Sequence, residues 1–285
     1  MTVTIDRLSQ TKLTEIQAKL PNAYKIQKWL EVTLPEWVDT KTTPSSRLSV
    51  ALICLQDAAR VAWEVDYGLL YAYANVTWYR DEDPDVPIEE LQESQVTTTE
   101  WGELQAHRYG KYYADDAALR LYGAAEYAAQ FVVEFLNIQS AELDDFREKR
   151  TSLAIAVGKY LKSKMASHEI SVAVGRLSSN KDWQRTMAYR NDWVHEQPQL
   201  VSTPALRYKR RMRWRDTQAG PMMLIGGDAW GDRPDLTLDE LLEMIRHAGC
   251  AFVETLEELS EILFKNLEPL GIVRDFNSGR ILVKG

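Results

Sequence analysis

Residues 45–78 read SSRLSVALICLQDAARVAWEVDYGLLYAYANVTW. Within this stretch Leu48, Leu52, Leu55, Ala59, Ala62, Val65 and Leu69 recur at steps of three and four, which is the helical period. Gln56, Arg60 and Glu64 fall on the opposite face. Ser45 and Ser46 follow Pro44 and offer an N-cap, a side-chain oxygen for the first free backbone N–H groups. No proline interrupts the run. The pattern predicts one helix of roughly 30 residues, about 45 Å long at 1.5 Å per residue, and a helix of that length needs an equally long partner to cover its apolar stripe.

The partner comes after residues 80–103, RDEDPDVPIEELQESQVTTTEWGE, where Pro84, Pro87 and a run of acids predict a loop or short irregular excursion. Leu119, Tyr122, Ala125, Ala129, Val132, Val133 and Leu136 then mark a second long helix over 111–138. Shorter helical pieces are expected at 140–164, 167–177 and 181–195, set apart by capping residues such as Ser140, Ser167 and Ser179-Asn180. Thr237 opens a last long helix ending near Leu267. Upstream, 6–32 reads as one or two short helices broken at Pro21. After Pro198 the period shortens. LRYKRRMRWR at 206–215 alternates, MMLI at 222–225 is a short apolar run, and Gln218, Gly220 and Pro221 between them predict a β-hairpin. The tail, IVRDFNSGRILVKG, has the marks of a second small hairpin around Asn277-Ser278-Gly279. The expectation is an all-α fold: an antiparallel helical bundle with a small β-hairpin insertion. Residues 1–44 would form an N-terminal helical extension, and 45–285 the bundle, its basic hairpin lying around 201–230.

Composition narrows the function. The chain has 285 residues, 45% hydrophobic, with a formal net charge of −8, enough to bury a sizeable core. An acidic balance argues against a protein that coats nucleic acid indiscriminately, while leaving room for a local basic patch. Cys54 and Cys250 are too few for a disulfide framework or a cysteine-rich zinc site. The polar start MTVTIDRLSQ has no apolar signal region, and no stretch of about 18 apolar residues occurs. A cytoplasmic protein without a membrane partner is expected. His107, His168 and His247 are scattered without zinc-ligand spacing, and Asp81, Glu82, Asp83 and Asp85 lack the spacing of a calcium loop. No phosphate-binding loop, dinucleotide fingerprint or nucleophile elbow is present. Neither metal nor cofactor is expected.

Chemistry concentrates in Tyr189-Arg190-Asn191-Asp192-Trp193-Val194-His195, at the end of a helix just before Pro198. Asn191 and His195 are four apart and share a helix face; Arg190 sits about 100° away, and its length lets it swing toward the same pocket. Metal-free RNA cleavage needs a base for the 2′-hydroxyl, an acid for the leaving 5′-oxygen, and a fixed cation for the phosphorane. Histidine titrates near neutrality and can be base or acid. Arginine stays charged and can hold two phosphate oxygens. A structural alternative also exists. A histidine at a helix C-terminus is favoured by the helix dipole whatever its chemistry, and Arg190 could pair with Asp192, Glu196 or an acid on a neighbouring helix. Tyr189 and Trp193 are expected to pack into the bundle.

The segment resembles the Arg-x4-6-His motif of the HEPN superfamily, in the form Arg–polar–x3–His, and the order of long and short helices is similar too. The resemblance covers about 45–200 and 237–268. It implies a metal-independent endoribonuclease, in a defence or stress-response setting, that acts as a homodimer with two motifs facing one cleft. His195 would be the acid–base residue, Arg190 the phosphate clamp, Asn191 an orienting hydrogen bonder, and the partner RNA. Toxins of this superfamily that are silenced by a nucleotidyltransferase antitoxin often carry a tyrosine two residues after the motif histidine. Here that position is Gln197, followed by Pro198, which argues against silencing by modification of that tyrosine and against that toxin–antitoxin branch, and leaves an antitoxin or defence-system partner open. Other classes are a non-catalytic RNA- or nucleotide-binding module and a helical scaffold.

A second candidate is the basic strand. In an extended chain Arg207, Lys209, Arg211, Arg213 and Arg215 would share one face, about 6.6 Å apart, close to the spacing of phosphates along a single strand. They are the candidate RNA-binding residues. The alternatives are an edge strand kept soluble by charge and docking onto the chain's own acidic loop at 81–93.

Overall fold

The computed structural model describes residues 8–26, 46–82, 98–143, 151–195, 201, 212–217, 220–225, 236–267, 272–275 and 280–283. They form α1 (Gln10–Lys19), α2 (Ser46–Glu82), α3 (Thr98–Leu136), α4 (Leu153–Lys164), α5 (Glu169–Ser179), α6 (Lys181–His195), strands β1 (Met212–Thr217) and β2 (Gly220–Ile225), α7 (Leu238–Leu267), and strands β3 (Ile272–Asp275) and β4 (Arg280–Val283). The fold is predominantly helical.

The axis of the molecule is the α2–α3 pair, helices of 37 and 39 residues, about 55–60 Å each. On α2 the expected stripe is the buried one: Leu52, Leu55, Ala59, Ala62, Val65 and Leu69 are all in the core. On α3 the expected stripe is buried in part: Ala125, Ala129 and Val132 are in the core, while Leu119, Tyr122, Val133 and Leu136 are half-buried. The buried face extends instead over Ala114, Ala117, Ala118, Leu121, Ala124, Ala128 and Phe131. The cause is the distance between the helices. A Cβ on Gly68 of α2 would lie 3.1 Å from Ala117 Cβ and 3.2 Å from the Tyr113 carbonyl oxygen, so small side chains face each other here. α3 also begins at Thr98, well before 111. No proline follows Pro87 in that segment, and Glu100 falls in the first turn, where the helix dipole favours an acid.

The shorter helices have side-chain caps. Ser152 accepts the Ile155 N–H at 3.2 Å, and Asn180 accepts the Trp183 N–H at 2.9 Å. Thr237 and Glu240 form a reciprocal capping box at the start of α7. α4 has a further cap from outside. Glu126 of α3, which the sequence presents as part of a polar face, accepts the Leu153 N–H at 2.9 Å and the Ala154 N–H at 3.3 Å. Among the described residues between Leu136 and α4 there is a 3-10 turn at Ser140–Glu142; of the piece expected at 140–164, residues 144–150 lie outside the described residues and Leu153–Lys164 is helical. α7 closes the bundle with a buried stripe from Leu238 to Leu267.

Val201 and Leu236, both buried, form an isolated parallel bridge, so the chain leaves and re-enters the bundle at one place. Between them β1 and β2 pair antiparallel, with Arg213 opposite Leu224 and Arg215 opposite Met222. β3 and β4 pair likewise, Ile272 opposite Val283. Arg207, Lys209 and Arg211 lie outside the described residues.

The segment preceding α2 joins the same core. Ala23 and Ile26 are buried in it, and Asn22 adopts a left-handed φ of 65° that turns the chain after Pro21. The Ala23 N–H donates to Oδ2 of buried Asp66 at 2.8 Å. Pro21 rests on Gly249 of α7, where an added Cβ would come within 2.7 Å of the proline Cγ. Burial pushes the Asp66 carboxyl up to about 6, against the backbone N–H groups that favour its charged form. The folded chain therefore binds this proton more tightly than the unfolded one. Asp66 contributes stability that is full below the ordinary carboxylate value of about 4 and is lost as pH rises through about 6. Asp66→Asn, which keeps an acceptor for Ala23, is expected to melt closer to, or above, the parent at pH 7.5 than at pH 4.5. Melting curves of the two proteins at both pH values measure this, and a difference that is constant with pH would contradict it.

Candidate functional site

α6 is held from both sides. Its inward positions follow the helical period: Trp183, Thr186 and Tyr189 are buried, and Met187 and Arg190 half-buried. Toward α7, Trp183 stacks on Phe252 with centroids 5.5 Å apart and planes 10° from parallel. Toward α3, the Tyr189 hydroxyl donates to Asp115 Oδ1 at 2.5 Å, and Lys111 neutralises the same carboxylate from Oδ2 at 2.6 Å. Burial first, and the Asp115 charge second, push the Tyr189 phenol far above its ordinary value. It remains a neutral donor, and the helix cannot rotate without leaving Asp115 short of a partner in the interior.

That anchoring fixes the next residue. The Arg190 guanidinium carbon lies 3.7 Å above the centroid of the Tyr122 ring on α3, a cation–π contact. Its Nη1 donates to Asn191 Oδ1 at 3.0 Å, while Nε is buried without a hydrogen-bond partner among the described residues. No described carboxylate forms an ion pair with it, so the acid partner that the sequence leaves open is replaced here by an aromatic face. A guanidinium is a planar fork of N–H donors, which suits a phosphate or carboxylate. Asn191 is exposed. It lines, together with Tyr122, a cavity of about 720 Å³ between α3, α4, α5, α6 and α7. His195 is the last residue of α6, one turn beyond Asn191; its side chain and that of Trp193 lie outside those described. Arg213 and Arg215 are placed on β1 by backbone register alone.

Tyr122 is the site residue that sequence reasoning assigned elsewhere, as a core position. Asp115 was not singled out at all. A second polar cluster also emerges only in three dimensions. Tyr73 of α2 donates to Glu243 of α7 at 2.7 Å, Arg246 donates to the same carboxylate, and His247 lies 3.3 Å from Asp182 at the start of α6. Burial opposes ionisation of Glu243, yet the Arg246 and Tyr73 donors hold it below the usual carboxylate range. Its donors and acceptors satisfy one another, and the cluster ties α2 and α6 to α7. Among the described residues no group of three or more His, Cys, Asp or Glu could hold a metal ion, and no helix is long and apolar enough to cross a membrane. Buried Cys54, its thiol pushed up to about 11 mainly by burial, is a poor nucleophile.

Comparison of the chain with protein-family models, with curated proteins and with solved structures returned no match.

Proposed function

We propose that the chain is a HEPN-like, metal-independent endoribonuclease that cleaves RNA by attack of the 2′-hydroxyl on the adjacent phosphodiester. The observation that carries this reading is the Arg190 guanidinium, seated on Tyr122, joined to Asn191 and unneutralised by any described carboxylate, one and a half helical turns before His195. In the proposed mechanism Arg190 binds the non-bridging oxygens of the scissile phosphate and stabilises the charge that grows on them. His195 takes the 2′-hydroxyl proton or delivers one to the leaving 5′-oxygen. One histidine supplies half of an acid–base pair, and a second copy of the chain would supply the other half across a two-fold cleft. The products would be a 2′,3′-cyclic phosphate and a 5′-hydroxyl. Asn191 orients the guanidinium. The segment between Val201 and Leu236, with its hairpin and basic row, would be an insertion in a HEPN-like bundle and an outer track for the RNA backbone.

The test is incubation of the purified protein with RNA in EDTA, beside His195→Ala. Cleavage by the parent to cyclic-phosphate ends, lowered at least about a hundredfold in the variant, is the expected result. Cleavage that survives the substitution, or that requires added Mg²⁺, would remove the mechanism. Salt-sensitive RNA binding with no cleavage by either protein would favour a binding module on the same site.

A further inference from the structure

The cavity beside Asn191 has features that RNA cleavage does not use. Its deep wall is apolar: Ala128 and Val132 of α3, Trp183 of α6, and Phe252 and Leu259 of α7 are all buried residues that line it. α4 and α5 each contribute a glycine to the lining, Gly158 and Gly175, and a Cβ on either would meet nothing within 4 Å. In a helix glycine is less favourable than alanine, and here neither glycine makes room for a neighbouring helix. Gly158 is half-buried and Gly175 exposed, and a side chain on either would project into open space at the lining. The Ser171 Oγ, also in the lining, is buried without a hydrogen-bond partner among the described residues. Among the described residues, the charged ones of the lining are Lys159 and Lys162, both exposed on α4. In a chain of net charge −8, the charged side chains of the described lining are both cations.

We propose that this cavity is a binding site for a free single-chain amphiphile with an anionic head, of the fatty-acid class. A volume of about 720 Å³ lies within the roughly 300–1,000 Å³ range of small-molecule sites. The aliphatic tail would lie against the apolar wall, where burial favours it by about 0.8 kcal/mol per methylene. The carboxylate would sit toward the lysines, and the Ser171 hydroxyl would gain the acceptor it lacks inside the protein. The inference stands apart from the cleavage reading, since none of these groups is Arg190 or His195.

Calorimetric titration with octanoate, decanoate and dodecanoate, each below its micelle concentration, tests it. Affinity should rise about 15-fold for each pair of methylenes. Dodecyltrimethylammonium, with the same tail and the opposite charge, should bind at least tenfold more weakly. Lys159→Gln with Lys162→Gln, changes on the solvent side of α4, should erase most of that difference. Gly158→Leu with Gly175→Leu should fill the space, abolish dodecanoate binding and leave the melting temperature unchanged or raised. No saturable binding at any chain length, equal binding of the cationic amphiphile, or full binding by the glycine double variant would each overturn the proposal.

Discussion

Arg190→Ala is expected to lower RNA cleavage by about a hundred- to a thousandfold while the protein still folds. That range is the cost of removing one preorganised donor from a developing oxyanion, about 2.7–4 kcal/mol. Folding should survive because the anchors of α6 are other residues: Trp183 on Phe252 and Tyr189 on Asp115. Two further substitutions separate charge from geometry. Arg190→Lys keeps the cation but loses the planar fork and its stacking surface, so its loss should fall between those of the parent and the alanine variant. Tyr122→Leu keeps the guanidinium but removes its platform, a contact worth about 0.5–2 kcal/mol, and should cost about 2- to 30-fold. In the double variant Tyr122→Leu with Arg190→Ala, the tyrosine effect should vanish, because the platform acts only through the arginine. Single-turnover cleavage of a labelled RNA in EDTA reads all four. Parent-like cleavage by Arg190→Ala would end the phosphate-clamp role; fully additive losses in the double variant would end that of the platform.

Gly68→Leu is expected to lower the melting temperature by about 2–12 °C. At this position α2 meets α3 with 3.1–3.2 Å between the site of a Cβ and Ala117 Cβ or the Tyr113 carbonyl oxygen. One of the two obstacles is backbone, which cannot rotate away. Overpacking of this kind costs about 1–3 kcal/mol or more, and each kcal/mol moves the midpoint of a chain this size by about 2–4 °C. Gly68→Ala sets a finer test. Its single methyl needs only a few tenths of an ångström, and alanine returns about 1 kcal/mol of helix propensity, so the net change should be small. Adding Ala117→Gly to Gly68→Leu should recover part of the loss by clearing one obstacle. A parent-like midpoint for Gly68→Leu would mean the two helices do not run this close.

What the sequence discloses of this architecture follows how far apart the interacting residues lie. The α2 stripe is readable because leucines and valines dominate it and the period is carried by the residues themselves. On α3 the same reasoning finds Ala125, Ala129 and Val132, but favours Leu119 and Tyr122 over the more deeply buried Ala117, Ala118 and Ala124. Alanine is weakly apolar on any scale, and only the interhelical distance shows that a methyl is what the space accepts. The start of α3 is hidden by a composition rich in acids, which a helix N-terminus tolerates. Arg190, Asn191 and His195 stand out because they are neighbours on one helix. Tyr122 and Asp115 do not, because their roles depend on the register between two helices far apart in the chain. Glu126 is a similar case: as one of three polar residues spaced by four it reads as a solvated face, yet its carboxylate receives the first two N–H groups of α4. Of the five basic residues in alternation, the backbone of Arg213 and Arg215 is in β1.

The seating of Pro21 on Gly249 has a consequence for the order of assembly. The two contact surfaces are more than two hundred residues apart, so on the ribosome the first is made on the order of tens of seconds before the second, at about 5–20 residues per second. Until α7 emerges, Pro21 lacks the surface it rests on. The contact between early and late chain therefore forms last, and a nascent polypeptide stopped short of Gly249 carries Pro21 without the helix that seats it.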